Sequence, residues 1–124
     1  MVIDYKHRLL KRIDFLKSLI VPFFQSYHTI TKEQYNLLNT IAIEPLKKAG
    51  CRLWVFGSRA TTKFQKFSDI DLLYESPHEL ELGYLYKIKN DLEESNFPIK
   101  VDIVNIKDLA GSYKENILKA RIEI

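Results

Sequence analysis

What this chain has little of narrows its class first. One cysteine in 124 residues rules out an intramolecular disulfide, and Cys51, placed just before an apolar run, reads as a small buried hydrophobe in a reducing, cytoplasmic setting. Only four glycines occur, and none falls in a Walker or dinucleotide-binding pattern, so kinase and dehydrogenase readings fall away. The three histidines, His7, His28 and His78, share no spacing that suggests a zinc site or a catalytic dyad. Long apolar runs are missing too. The stretch over residues 19–24 is far too short to cross a membrane, and Lys6, Arg8, Lys11 and Arg12 interrupt the opening apolar residues where a secretory leader needs continuity. Charge of one sign is scarce: the formal net charge is +3, with the mild basic excess in the first fifty residues. Such an excess reads as solvated helix faces and does not support direct nucleic-acid binding. The seven Tyr and seven Phe are spread through apolar stripes and read as core rather than as a base-stacking platform.

What is present is a chain of one-domain length with a legible alternation of helices and strands. Leu9, Ile13, Leu16, Ile20, Phe23 and Tyr27 recur at steps of three and four, which predicts a helix over residues 3–27 that Pro22 kinks or splits. Leu10, Leu19 and Phe24 widen its apolar stripe, which reads either as core packing or as a self or partner interface. Thr31, with Gln34 three residues later, offers a capping box for a second helix through Ala49, bent at Pro45 and stopped by Gly50. Its inner face is Tyr35, Leu38, Ala42, Leu46 and Ala49. A third helix is expected from Ser76 to Ser95 with Pro77 in its first turn and Leu80, Tyr84, Ile88 and Leu92 inward. A last helix over residues 107–119, weakened by Gly111, and a short closing strand over residues 121–124 complete the pattern.

The chemistry lies between these helices. Leu53-Trp54-Val55-Phe56 is a short apolar run of the buried-strand kind, ended by Gly57. Glycine permits close backbone approach, Ser58 offers a hydroxyl where a short helix begins, and amides at a helix start bind phosphate oxygens. Residues 70–74 read as a second strand, so Asp69 and Asp71, two apart, project to one side. Paired carboxylates repel and raise a pKa unless a cation neutralises them, and Mg²⁺ is held by one or two carboxylates together with substrate phosphates. Lys100-Val101-Asp102-Ile103-Val104 alternates as a half-buried strand. If that strand pairs with the second, Asp102 joins the cluster. Three carboxylates then suit two metal ions about 3.5–4 Å apart, clamping an in-line phosphoryl displacement.

Gly57-Ser58, ten residues, Asp69-Ile70-Asp71 and then Asp102 resemble the nucleotidyltransferase superfamily of DNA polymerase β type. The short chain is similar to its minimal nucleotidyltransferase branch, whose members often act as antitoxins beside HEPN-domain toxins. The resemblance covers residues 33–124. It implies an α/β (α+β) fold, a small mixed sheet flanked by helices, with an N-terminal helical extension over residues 1–30 and the nucleotidyltransferase domain over 31–124. It implies that Gly57 and Ser58 cradle the β and γ phosphates of ATP or another nucleoside triphosphate, and that Arg59 adds positive charge there. Asp69 and Asp71 would bind Mg²⁺, with Asp102 completing a second metal site and positioning or deprotonating an acceptor hydroxyl. The implied acceptor is a tyrosine of a HEPN toxin, modified with AMP, while the broad apolar stripe of the N-terminal helix reads as the surface for a homo- or hetero-oligomer. One departure stands out. Many relatives read Gly-Ser-x-Ala-x-Gly, where this chain has Thr62, and a β-branched residue is disfavoured if that position needs a positive φ. Two further readings stay open: a binding module that keeps the fold and blocks a toxin by contact, and transfer to a small molecule or an RNA end. Relatives of the latter kind carry an extra acceptor domain, and 124 residues leave no room for separate fingers, palm and thumb.

Overall fold

A computed structural model describes residues 30–60 and 68–124. The helix expected over 3–27, its kink at Pro22, and Thr62 lie outside the described residues. Residues 32–48 run as one helical rod in three parts: α1 (Lys32–Leu38), a π-helical turn (Asn39–Ile43) and α2 (Glu44–Lys48). The capping box forms as expected, with Gln34 N–H donating to Thr31 Oγ1 at 3.0 Å and Thr31 N–H to Gln34 Oε1 at 2.9 Å. Pro45 does not simply bend the rod. It has no N–H to donate, and the turn before it widens so that Glu44 N–H reaches back to Asn39 carbonyl. Gly50, at φ +89, ends the rod in a Schellman motif: Gly50 N–H bonds Lys47 carbonyl and Cys51 N–H bonds Leu46 carbonyl.

Four strands follow in chain order, β1 (Arg52–Phe56), β2 (Ile70–Glu75), β3 (Val101–Asn105) and β4 (Ile122–Glu123), and they lie side by side as β3-β2-β1-β4. The pairs β1–β2 and β1–β4 are antiparallel, while β2–β3 is parallel. A parallel pair needs a crossover, supplied by α3 (Tyr84–Glu94). This helix starts eight residues later than expected. Gly83 takes φ +96 just before it, so residues 76–83 turn instead, Ser76 hydroxyl bonding the His78 carbonyl. Pro77 therefore lies outside the helix, and Leu80 packs against the core from the loop. A 3-10 turn (Ile106–Asp108) and α4 (Gly111–Ala120) replace the single helix expected over 107–119; Gly111, at φ +56, opens α4 rather than interrupting it.

The sheet has two unlike faces because strand side chains alternate. Leu53, Val55, Ile70, Leu72, Tyr74 and Ile103 point into one core with Leu38, Ala42, Ile43 and Leu46 of the rod and Ile88 and Leu92 of α3. Tyr84 hydroxyl ties α3 to the rod by donating to Pro45 carbonyl at 2.6 Å. The opposite face carries Trp54, Asp71, Leu73 and Asp102. There the Arg121 guanidinium lies 4.1 Å from the Trp54 ring centre, with Arg52 at 4.9 Å on the same ring. The carboxylates thus sit on the face opposite the helical core, where Trp54 and Leu73 are themselves buried.

Candidate active site

The site assembles where β1 ends and where β2 and β3 begin. Parallel pairing sets Asp71 directly beside Asp102, and antiparallel pairing sets Phe56, the residue before Gly57, opposite Asp71. One residue on, Gly57 adopts φ +71 against that carboxylate. A Cβ there would lie 3.3 Å from Asp71 Cγ and would overlap its Oδ2. Glycine is therefore required twice, for its dihedral and for the approach. Gly57 and Ser58 open a short 3-10 turn (Gly57–Ala60) with both residues exposed. Asp69 lies one residue before β2, exposed at its mouth.

The electrostatics follow from this packing. Asp71 is partly buried, and its pKa is pushed up to about 6, first by desolvation, then by the charges of Asp102 and Asp69 and a hydrogen bond with Asp102. Lys100 opposes the shift, and its ammonium lies 3.7 Å from Asp102 Oδ1. Among the described residues no group of three His, Cys, Asp or Glu side chains is arranged to hold a metal by itself. The donor set nevertheless fits a hard cation: an all-oxygen group whose central member is made proton-hungry by desolvation and by the carboxylates beside it. Mg²⁺ commonly takes only one or two protein carboxylates and completes its shell with water and substrate phosphates. Asp71 and Asp102, with Asp69 nearby, would hold it.

Arg59 has a different place from the one its charge implied. It is 1% exposed, and its Nε and Nη2 donate to Ser68 carbonyl at 3.1 and 2.7 Å. Burial lowers its pKa while Asp69 raises it. The guanidinium ties the turn after β1 to the residue preceding Asp69, so it positions a carboxylate instead of facing solvent. Nothing in the local pattern marked this, since burial of an Arg depends on the chain returning over it. Cys51 is buried as expected, and desolvation pushes its thiol pKa up, away from nucleophilic reactivity.

Two concavities flank the carboxylates. A cleft of about 720 Å³ runs along the outer edge of β3 and takes in Asp71, Asp102, Lys100, Phe56 and, from α3, Lys89 and Glu93. A smaller groove of about 340 Å³ lies between Gly57 and one face of α4. The α4 residues were not singled out by sequence, although Tyr113, Asn116, Ile117 and Ala120 carry the signal of a single helix face.

A glycine turn over a parallel pair of aspartate strands is the arrangement of a nucleotidyl-transfer fold, and residues 47–124 match the family described as Polymerase beta, Nucleotidyltransferase. The chain belongs to that family. Among its relatives, a Haemophilus influenzae protein named "Probable protein adenylyltransferase MntA" is 32% identical over 72 residues, which span 58% of this chain and 63% of that protein. The match thus takes in less than two thirds of the relative's length. A crystal structure of a mutant of the toxin-antitoxin MntA-HpeT superposes with a TM-score of 0.52 at 15% identity, covering 68% of this chain and 70% of that one, a likeness of fold. No described helix is long and apolar enough to cross a membrane.

Proposed function

We propose that this chain transfers a nucleoside monophosphate, AMP from ATP, to a hydroxyl of a partner protein, and that the modification neutralises a toxin. The observation that carries the reading is the registered Asp71–Asp102 pair set against a Gly57 that tolerates no side chain. Family membership supports the reaction class, and the MntA relative supports a protein acceptor. A HEPN-type toxin with an acceptor tyrosine is the partner this reading names, in line with the toxin-antitoxin assembly of the structural neighbour. The N-terminal segment, residues 1–30, serves in this reading as an extension that binds the partner or a second copy, beside the catalytic unit over 31–124.

In this reaction Gly57 and Ser58 bind the β and γ phosphates, and the acceptor hydroxyl enters along the β3 edge. Its oxygen bonds to the α-phosphorus while the bond from that phosphorus to the bridging oxygen breaks and pyrophosphate leaves. Asp102 orients the hydroxyl and accepts its proton. Arg59 holds Ser68, and through it Asp69, in position. Bound Mg²⁺ would supply charge neutralisation for the phosphates and the leaving group.

Incubation with ATP, Mg²⁺ and the candidate toxin, followed by intact-mass measurement, tests the proposal. The expected result is one added AMP on the toxin, absent with Asp69→Asn. Unmodified toxin that is still neutralised by Asp69→Asn would overturn the catalytic reading in favour of blocking by contact.

A further inference from the structure

At the ends of β1 and β2 remote from the aspartates lies a concavity of about 770 Å³ whose walls carry four cationic side chains, Arg52, Lys107, Lys114 and Arg121, against one acidic side chain, Glu75. Asp71 and Glu75 stand four residues apart on β2, roughly 13 Å along the strand, so this pocket is separate from the carboxylate site. Arg52 is already compensated. It makes a two-point bond to Glu123, at 3.0 and 3.3 Å, and faces Glu75 across the strand pair. The other three cations come from three segments: Lys107 from the 3-10 turn after β3, Lys114 from α4, and Arg121 from the link between α4 and β4. Among the described residues none of the three makes a salt bridge, and Arg121 Nη1 is buried with no hydrogen-bond partner. The Arg121 guanidinium stacks instead on Trp54, 4.1 Å from the ring centre, which fixes the charge in place without neutralising it. Like charges gathered around one pocket repel, and an anion among them answers that repulsion.

We propose that this pocket is a second anion site, for a small phosphate compound bearing a multiply charged group, a phosphate monoester or a diphosphate. Charge selects the class. With Arg52 held by Glu123, three cations face Glu75, an excess of two positive charges. A phosphate monoester carries about −1.5 to −2 on one group near pH 7, whereas a single carboxylate or a backbone phosphodiester carries only one charge. Geometry agrees with charge. A guanidinium is a planar fork that binds two phosphate oxygens at once, and lysine ammoniums act as point charges on what remains. The volume falls within the range of small-molecule clefts, about 300–1,000 Å³. None of the residues assigned to nucleotidyl transfer takes part, so the inference stands independently of that reading.

Trp54 is the single tryptophan of the chain and lies against Arg121, so its emission reports on the pocket. Titration of the full chain in EDTA with pyrophosphate, ribose 5-phosphate and a short RNA lacking a terminal phosphate, followed by Trp54 emission and by calorimetry, tests the site. Pyrophosphate and ribose 5-phosphate are expected to bind saturably and to change the emission, and the RNA to bind more weakly than either. Lys107 and Lys114 are exposed, so Lys107→Gln and Lys114→Gln should each melt as wild type and bind pyrophosphate about tenfold more weakly. Arg121→Gln should weaken binding further; if that variant fails to fold, the two lysine variants decide. Pyrophosphate affinity unchanged in both lysine variants would overturn the site, as would a wild type that binds neither small phosphate saturably. RNA bound more tightly than both small ligands would overturn the assignment to a small phosphate compound.

Discussion

At the scale of single residues, the site is held by an unfavourable contact. Asp71 is crowded by two carboxylates and partly desolvated, so the folded chain binds a proton there more tightly than the unfolded chain does. The sign follows directly. A carboxyl raised to about 6 from 3.8 stabilises the fold below about pH 4, and that contribution is lost as pH rises through 6. Asp71→Asn is therefore expected to raise the melting temperature of metal-free protein at pH 7.5 and flatten its dependence between pH 4 and 7, while abolishing transfer; thermal melts across that range check it. Gly57 answers to the same carboxylate. Gly57→Ala imposes a left-handed dihedral on a residue with a Cβ, at a cost of about 1–2 kcal/mol, and also displaces Asp71. Chemical denaturation should show a loss of at least that size, and calorimetry a loss of triphosphate binding. Arg59 completes this scale. Replacing it with Met removes two charge-assisted bonds to Ser68 carbonyl, with an expected loss of about 2–4 kcal/mol in urea unfolding. The same variant should lower kcat and raise KM together, because the bond it removes links the segment before Asp69 to the turn that begins at Gly57.

Among elements, the rod of residues 32–48 shows how local chemistry and packing share control. Its two ends obey rules readable from a few neighbouring residues: a capping box at Thr31 and a Schellman stop at Gly50. Thr31→Ala should cost about 1 kcal/mol, seen as a lower urea midpoint at constant m-value, since the cap is exposed and removes no core atoms. Its middle was less legible. The π-helical turn before Pro45 keeps both Ala42 and Ile43 in the core, a result that depends on what the sheet offers to that side of the helix. The start of α3 departs from the sequence pattern for a related reason. The four-residue spacing of Leu80, Tyr84, Ile88 and Leu92 is a true inward stripe, yet Gly83 takes a left-handed dihedral, so the first member reaches the core from a loop. Periodicity reports burial and does not by itself report backbone conformation.

For the molecule as a whole, division of labour between the two sheet faces matters most. One face is filled by the rod and α3; the other holds Asp71 and Asp102 and is bordered by the β3-edge cleft and the α4 groove. On the proposed reading, nucleotide and acceptor hydroxyl have two approaches to one pair of carboxylates. The turn at Gly57, the strand that follows Asp69, the later strand carrying Asp102 and the capping box at Thr31 were all legible in the sequence. Each of these rests on interactions within a few residues, where alternation and turn chemistry dominate. Tertiary packing set the rest: β3 pairs parallel to β2 in the register joining Asp71 to Asp102, Arg59 folds inward on Ser68, and α4 forms a groove with Gly57. Those outcomes depend on surfaces brought together from distant parts of the chain, whose packing free energy no local pattern encodes.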